Sequence, residues 1–162
     1  MIKRKISIEK ELQLLSSPQL YRRHTLNVME FYSQVEDFIL QYFGGAYEIS
    51  LTRDYDFLSV SPRCFASILK IAVQRNPSKD TLQIRAHAGL KVSEIAIEFN
   101  TSALLPSDIA KIANLAELSG HEILIKENEI LLTANVIPVT FLELYAGKSK
   151  ILLHALEEIF LY

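Results

Sequence analysis

With one cysteine among 162 residues, the chain has no second thiol for Cys64 to pair with. A disulfide framework and a cysteine-based metal site are both excluded, and a reducing compartment suits the chain. Cys64 falls within a helical pattern and reads as a small core residue rather than a nucleophile. No apolar run approaches the ~20 residues that a membrane helix needs, and no signal-peptide pattern is present. The formal net charge is −2, and the basic clusters Lys3-Arg4-Lys5 and Arg22-Arg23 are too short for a nucleic-acid footprint. The four histidines show no His-x-x-x-His spacing, and no metal ligands are expected. No Ser-His-Asp or Cys-His pattern with a local motif occurs, so no catalytic residue is assigned. Internal repeats and low-complexity stretches are also lacking.

What remains is an ordinary globular composition, 49% apolar. The length fits one domain that buries roughly 70% of its unfolded surface. Ile2, Ile6 and Ile8 suggest a short strand, Glu9 to Leu15 a helical turn or two, and Ser16-Ser17-Pro18 a break. Asn27 with Glu30 then makes an Asn-x-x-Glu capping pattern, with Leu26 placed to staple onto Phe31. Val28, Phe31, Tyr32, Val35, Phe38, Ile39 and Tyr42 form a broad helical stripe, ended by Gly44-Gly45 and read as core. Tyr47, Ile49 and Leu51 alternate with polar residues as a strand. Arg53 to Asp56 reads as a turn and Phe57 to Val60 as a short return strand.

The organising stretch is Ser61 to Asn100. Ser61-Pro62 starts a helix, because serine accepts a free N–H and proline has none to leave unsatisfied. Phe65, Ile68, Leu69 and Ala72 follow at helical spacing, with Ile71 and Val73 widening the face, until Asn76-Pro77-Ser78 stops it. Leu82 to Ala86 and Ile95 to Phe99 alternate as half-buried strands. Beyond a turn at Thr101 to Leu104, Ser107 is the expected cap of a helix. Its face would be Ile109, Ile112, Ala113 and Ala116, flanked by Leu115 and Leu118 and ended by Gly120. Glu122–Ile125 and Glu129–Ile137 read as a hairpin across Lys126-Glu127-Asn128. Val139 to Tyr145 suggests a further strand, and Ser149 a cap for a terminal helix carrying Leu152, Ala155, Leu156 and Ile159.

The order and spacing from Ser61-Pro62 through "LAELSGHEILI" and "LLTANVIP" resemble the ATP-binding domain of sensor histidine kinases. The resemblance implies the histidine kinase-like ATPase fold: an α/β (α+β) two-layer sandwich whose mixed, mainly antiparallel sheet carries helices on one face. It divides the chain into a junction segment (1–26), the ATPase-like domain (27–138) and a C-terminal strand and helix (139–162) packed on the same domain. The terminal helix is expected to dock on its own core rather than on a second copy.

The family's chemistry requires an asparagine box and nearby acid for Mg²⁺, an aspartate for the adenine amino group, glycines at the turn, and a lid ending in Gly-x-Gly-Leu. Here Ile71 and Arg75 stand at the two asparagine positions. A slip of one residue places Asn76 in the box but Ala72 at the other position. Phe99 replaces the adenine aspartate, and a phenyl ring cannot accept that hydrogen bond. Thr101 and Ala103 replace glycines, and Pro106-Ser107-Asp108-Ile109 replaces the lid end, with Asp108 setting negative charge where phosphate would lie. Arg75, Asn76 and Asn100 are the candidate remnants of a nucleotide site.

The expected function is therefore an ATPase-like domain degenerate in ATP binding and retained as a signalling interaction module, with no cofactor. Its partners would be a kinase dimerisation region or a response regulator, with a homodimer as a further option, in the cytoplasm. One alternative is an active histidine kinase domain binding Mg·ATP through a rearranged pocket. Another is a histidine phosphotransferase using His24 or His154, although the chain has no convincing helical hairpin. A chance likeness of short motifs is the remaining reading.

Overall fold

The computed structural model describes residues 20–43, 48–50, 57–76, 82–88, 92–135 and 150–161. Strand β1 (His24–Asn27) runs directly into helix α1 (Val28–Phe43), where the Asn27 side-chain oxygen accepts the Met29 N–H at 2.7 Å. That bond satisfies one of the free donors of the first turn, as the capping pattern predicts. There follow β2 (Glu48–Ser50), β3 (Phe57–Val60), α2 (Pro62–Arg75), β4 (Gln83–Ala88) and β5 (Val92–Glu98). A 3₁₀ turn (Thr101–Ala103), α3 (Pro106–Ser119), β6 (Glu122–Lys126), β7 (Glu129–Asn135) and α4 (Ile151–Leu161) complete the order.

Five strands form one sheet in the order β2-β4-β5-β7-β6. The β2–β4 pair is parallel and the other three are antiparallel, so the sheet is mixed and mainly antiparallel as expected. The strand at Phe57–Val60 does not return onto β2. It pairs with β1 in a separate two-stranded sheet. Ser93 on β5 joins the two sheets, its hydroxyl accepting the Ser59 N–H at 3.2 Å and reaching the Ser59 carbonyl at 3.4 Å.

Alternation along the strands decides what faces the helices. Ile84, Ala86, Ile95, Ile97, Ile130 and Leu132 are buried in one core with Phe31, Phe38, Phe65, Ile68 and Leu69. The aromatic stripe of α1 is thus structural, with Phe31 packed edge-on against Phe65 at 5.0 Å between ring centres. Tyr32 also does a strand's work. Its buried hydroxyl accepts the Ala86 N–H at 2.8 Å and donates to the Ala86 carbonyl at 3.2 Å, one residue past the last β2–β4 pair.

Helix α4 lies on α1 and α2. Leu152, Leu153, Ala155 and Leu156 are buried, and Phe160 meets Phe38 at 5.0 Å. The buried Gln34 of α1 caps its start, accepting the Leu152 and Leu153 N–H groups at 2.9 and 3.0 Å. Lys70 of α2 binds its far end through the Ile159 carbonyl at 2.9 Å, a cation at the negative helix terminus.

Helix α3 differs from expectation in start and phase. It begins at Pro106 with Leu105 as the cap residue, not at Ser107. Its buried positions are Asp108, Ile112, Leu115, Ala116 and Ser119, while Ile109 and Ala113 are exposed. The reason is polar: Asp108 turns inward to an arginine on α2, and the apolar face turns with it. Gly120 ends the helix in a left-handed conformation (φ 72°), which a side chain would strain. The readings at Ile2–Leu15, Gly44-Gly45, Arg53–Asp56, Pro77-Ser78, Val139–Tyr145 and Ser149 lie outside the described residues.

Candidate functional site

Helices α2 and α3 meet at both ends, the start of each lying by the end of the other. The start of α2 is capped as its sequence predicts, with the Ser61 hydroxyl accepting the Cys64 N–H at 3.3 Å. The Ser61 N–H then donates to Nε2 of His121, just past the end of α3, at 3.0 Å. His121 Nδ1 lies 3.3 Å from the Thr133 carbonyl on β7. A ring accepting through Nε2 and donating through Nδ1 is the neutral tautomer. Burial is the main force holding it so, pushing its pKa from 6.5 down to about 4 against the opposing pull of the Thr133 carbonyl. Beside it Cys64 is buried and its thiol is pushed up to about 11, chiefly by loss of solvent, so it is no nucleophile.

At the other end Arg75, in the last turn of α2, grips Asp108 with both arms of its guanidinium. Nε donates to Oδ2 at 2.7 Å and a terminal nitrogen to Oδ1 at 3.2 Å. Asp108 Oδ2 also accepts the Leu105 N–H at 2.9 Å, closing the first turn of α3 on itself. The guanidinium first, and the Leu105 N–H second, hold the Asp108 carboxyl below the usual carboxylate range. The positive start of α3, which would otherwise attract an anion, already holds the chain's own carboxylate.

The turn between β5 and α3 is likewise filled from within. Phe99 is buried in the core and its N–H donates to the Asn128 carbonyl at 3.1 Å. The Thr101 N–H bonds to the Glu127 carbonyl at 3.2 Å, and its hydroxyl to the carbonyls of Lys126 and Glu127, the latter at 2.7 Å. Leu104 is buried behind the turn.

The three candidate residues do not converge on one cavity. Arg75 is committed to Asp108, while Asn76 is the buried cap of α2, its N–H closing onto the Val73 carbonyl at 3.4 Å. Asn100 is exposed, and its side-chain oxygen caps the 3₁₀ turn through the Ser102 N–H (3.2 Å) and hydroxyl (2.6 Å). It lines an open cavity of about 780 Å³ with Gln83, Arg85 and Lys126, to which neither Arg75 nor Asn76 contributes. In that cavity Arg85 is held by Glu98 at 2.6 Å and Glu129 at 3.4 Å.

Among the described residues no group of three or more His, Cys, Asp or Glu is placed to hold a metal, and no helix is long and apolar enough to cross a membrane. His24 opens β1, while His87 and His154 are exposed on β4 and α4. The reading of single residues missed the inward turn of Asp108 and the bridging role of His121. The first left a signal in an i, i+4, i+7, i+11 stripe through Asp108, Ile112, Leu115 and Ser119. The second left none, since a histidine after a glycine turn is unremarkable until β7 and Ser61 are beside it.

No protein-family model matches the sequence, and no curated protein matches it. Solved structures do. The Acinetobacter baumannii histidine kinase AdeS superposes with a TM-score of 0.52 over 83% of this chain and 79% of that one, at 13% identity. The cytoplasmic segment of histidine kinase QseC covers 86% of this chain and 96% of its own, with a TM-score of 0.45 and 12% identity. The likeness to AdeS, together with the β2-β4-β5-β7-β6 sheet, gives this chain the fold of a histidine kinase cytoplasmic domain.

Proposed function

We propose that this chain is an ATPase-like domain of a two-component sensor kinase that does not bind nucleotide and acts as a protein-interaction module. The single observation that carries the reading is the Arg75–Asp108 pair with its third contact to the Leu105 N–H. In this fold's kinases the helix start after the lid faces the triphosphate, and here a carboxylate occupies that place. A phosphate brought there would find the guanidinium and the Leu105 N–H already engaged by the Asp108 carboxylate. Adenine fares no better, because Phe99 offers no acceptor and packs in the core.

The residues present therefore do not fit a magnesium–nucleotide complex. A rearranged pocket built from Arg75, Asn76 and Asn100 finds no support in their positions. Arg75 neutralises Asp108, Asn76 caps α2, and Asn100 caps a separate turn. The partners this reading implies are protein surfaces: a kinase dimerisation region or a response regulator. Isothermal titration of Mg·ATP into the protein tests it. No saturable heat is expected up to millimolar nucleotide; a saturable micromolar signal overturns the reading.

A further inference from the structure

Strand β6 is the edge of the five-stranded sheet, and among the described residues no strand pairs with its outer side. An open edge presents a row of unpaired N–H and C=O groups and is a template for another strand. The usual protection is charge, and β6 carries it only at its tips. Its sequence is Glu122-Ile123-Leu124-Ile125-Lys126, with Leu124 at the centre 52% exposed.

The ladder registers place these residues in rows across the outer face of the sheet. Leu124 stands opposite Leu131, Leu131 opposite Ala96, and Ala96 opposite Arg85. An apolar row of Ala96, Leu131 and Leu124 thus runs over three strands from Arg85 and stops, unfinished, at the edge. On one side of it Lys126 lies opposite Glu129, bridged at 3.2 Å; on the other Glu122 lies opposite Thr133.

We infer that β6 pairs antiparallel with β6 of a second copy of this chain, about a two-fold axis at Leu124, joining two five-stranded sheets into one. The charges select the occupant. A two-fold antiparallel pairing centred on Leu124 sets Leu124 against its own copy, and Glu122 of each chain against Lys126 of the other. Directly opposed strand residues share a face, so both opposite-charge pairs form on the side where the apolar row continues across the junction. On the inner face Ile123 of each copy meets Ile125 of the other, and both are only partly buried in the single chain. A parallel pairing, or one slipped by a residue, loses these matches. The edge charges that repel a generic strand accept this one. A five-residue strand pair falls short of the ~1,200 Å² of a stable interface, so the dimer is weak and concentration-dependent. The pairing does not depend on the nucleotide reading.

Sedimentation equilibrium on the whole chain from micromolar to millimolar concentration tests the inference, with amide hydrogen exchange of β6 recorded at both ends of the range. A reversible monomer–dimer equilibrium is expected, with β6 amides more protected in the concentrated sample. Leu124→Asp sets two carboxylates side by side at the axis and should abolish the dimer. Glu122→Lys should weaken it by about tenfold, since two opposite-charge pairs become like-charge pairs. Glu122→Lys combined with Lys126→Glu should recover most of that loss. All three positions are on an exposed edge, and unchanged circular dichroism verifies folding. A monomer at every concentration, or a dimer indifferent to Leu124→Asp and Glu122→Lys, overturns the inference.

Discussion

Helices α2 and α3 are fastened to each other at both ends, by opposite kinds of chemistry. At the start of α2 a buried neutral histidine links the Ser61 N–H to the Thr133 carbonyl on β7. At its other end a part-exposed arginine holds a carboxylate that also closes the first turn of α3. The second fastening joins the last turn of α2 to the first turn of α3. The neutral link is strong because its loss strands a buried donor. The charged link is weak in energy, since its arginine is partly solvated.

Four substitutions and one pH series separate the two ends. The largest effect is expected at the histidine. Burial holds its pKa near 4 rather than 6.5, so below pH 6.5 the unfolded chain binds a proton that the folded chain refuses. The stability it confers is complete above pH 6.5 and is lost as pH falls towards 4, a change of ~3 kcal/mol. Urea melts of the wild type against His121→Phe read this directly. At pH 7 the variant should be less stable by about 1–3 kcal/mol, because the Ser61 N–H loses its acceptor. That gap should close as pH drops through 5. A gap that stays constant means that His121 is not the titrating group.

Next in size is Ser61→Ala, which removes the cap at the start of α2 and should cost about 1 kcal/mol in the same melts. The smallest effects on stability belong to Arg75→Gln and Asp108→Asn, and about 1 M salt should shrink them further. Asp108 also has its own pH window. Its carboxyl is held below the ordinary 3.8, so its contribution persists above that pH and fails only as pH falls beneath it. The two fastenings should therefore release in sequence on acidification, histidine first. Simultaneous release, read as a single pH transition in the wild type, would mean the two ends are not independent.

The same contrast explains what the amino-acid sequence made legible. The apolar periodicity of α1 and α2 and the Asn27 and Ser61 caps are local signals, and each led to the right element. The β6–β7 hairpin was equally plain from its alternation, although Lys126, read as part of the turn, is the last residue of β6 and pairs with Glu129. The two-stranded β1–β3 sheet was not, because a four-residue strand carries no mark of its partner. The face of α3 was misread for a reason that composition hides. Asp108 faces inward only because Arg75, 33 residues away, neutralises it there. His121 is the same case: its ligands come from α2 and β7, and neither is near in sequence except through the fold. Phe99, Thr101 and Ala103 were legible residue by residue, whereas the Arg75–Asp108 pair was visible only in three dimensions.

The most direct trial of the proposal that this pair excludes nucleotide is an amide NMR titration of Mg·ATP into the whole chain, following Asn76, Leu105, Asp108 and Ile109. The expected result is that these amides keep their positions up to millimolar nucleotide, because the Asp108 carboxylate already occupies the helix start. A saturating shift of Leu105 and Ile109 together would show nucleotide seated at α3 and contradict the account.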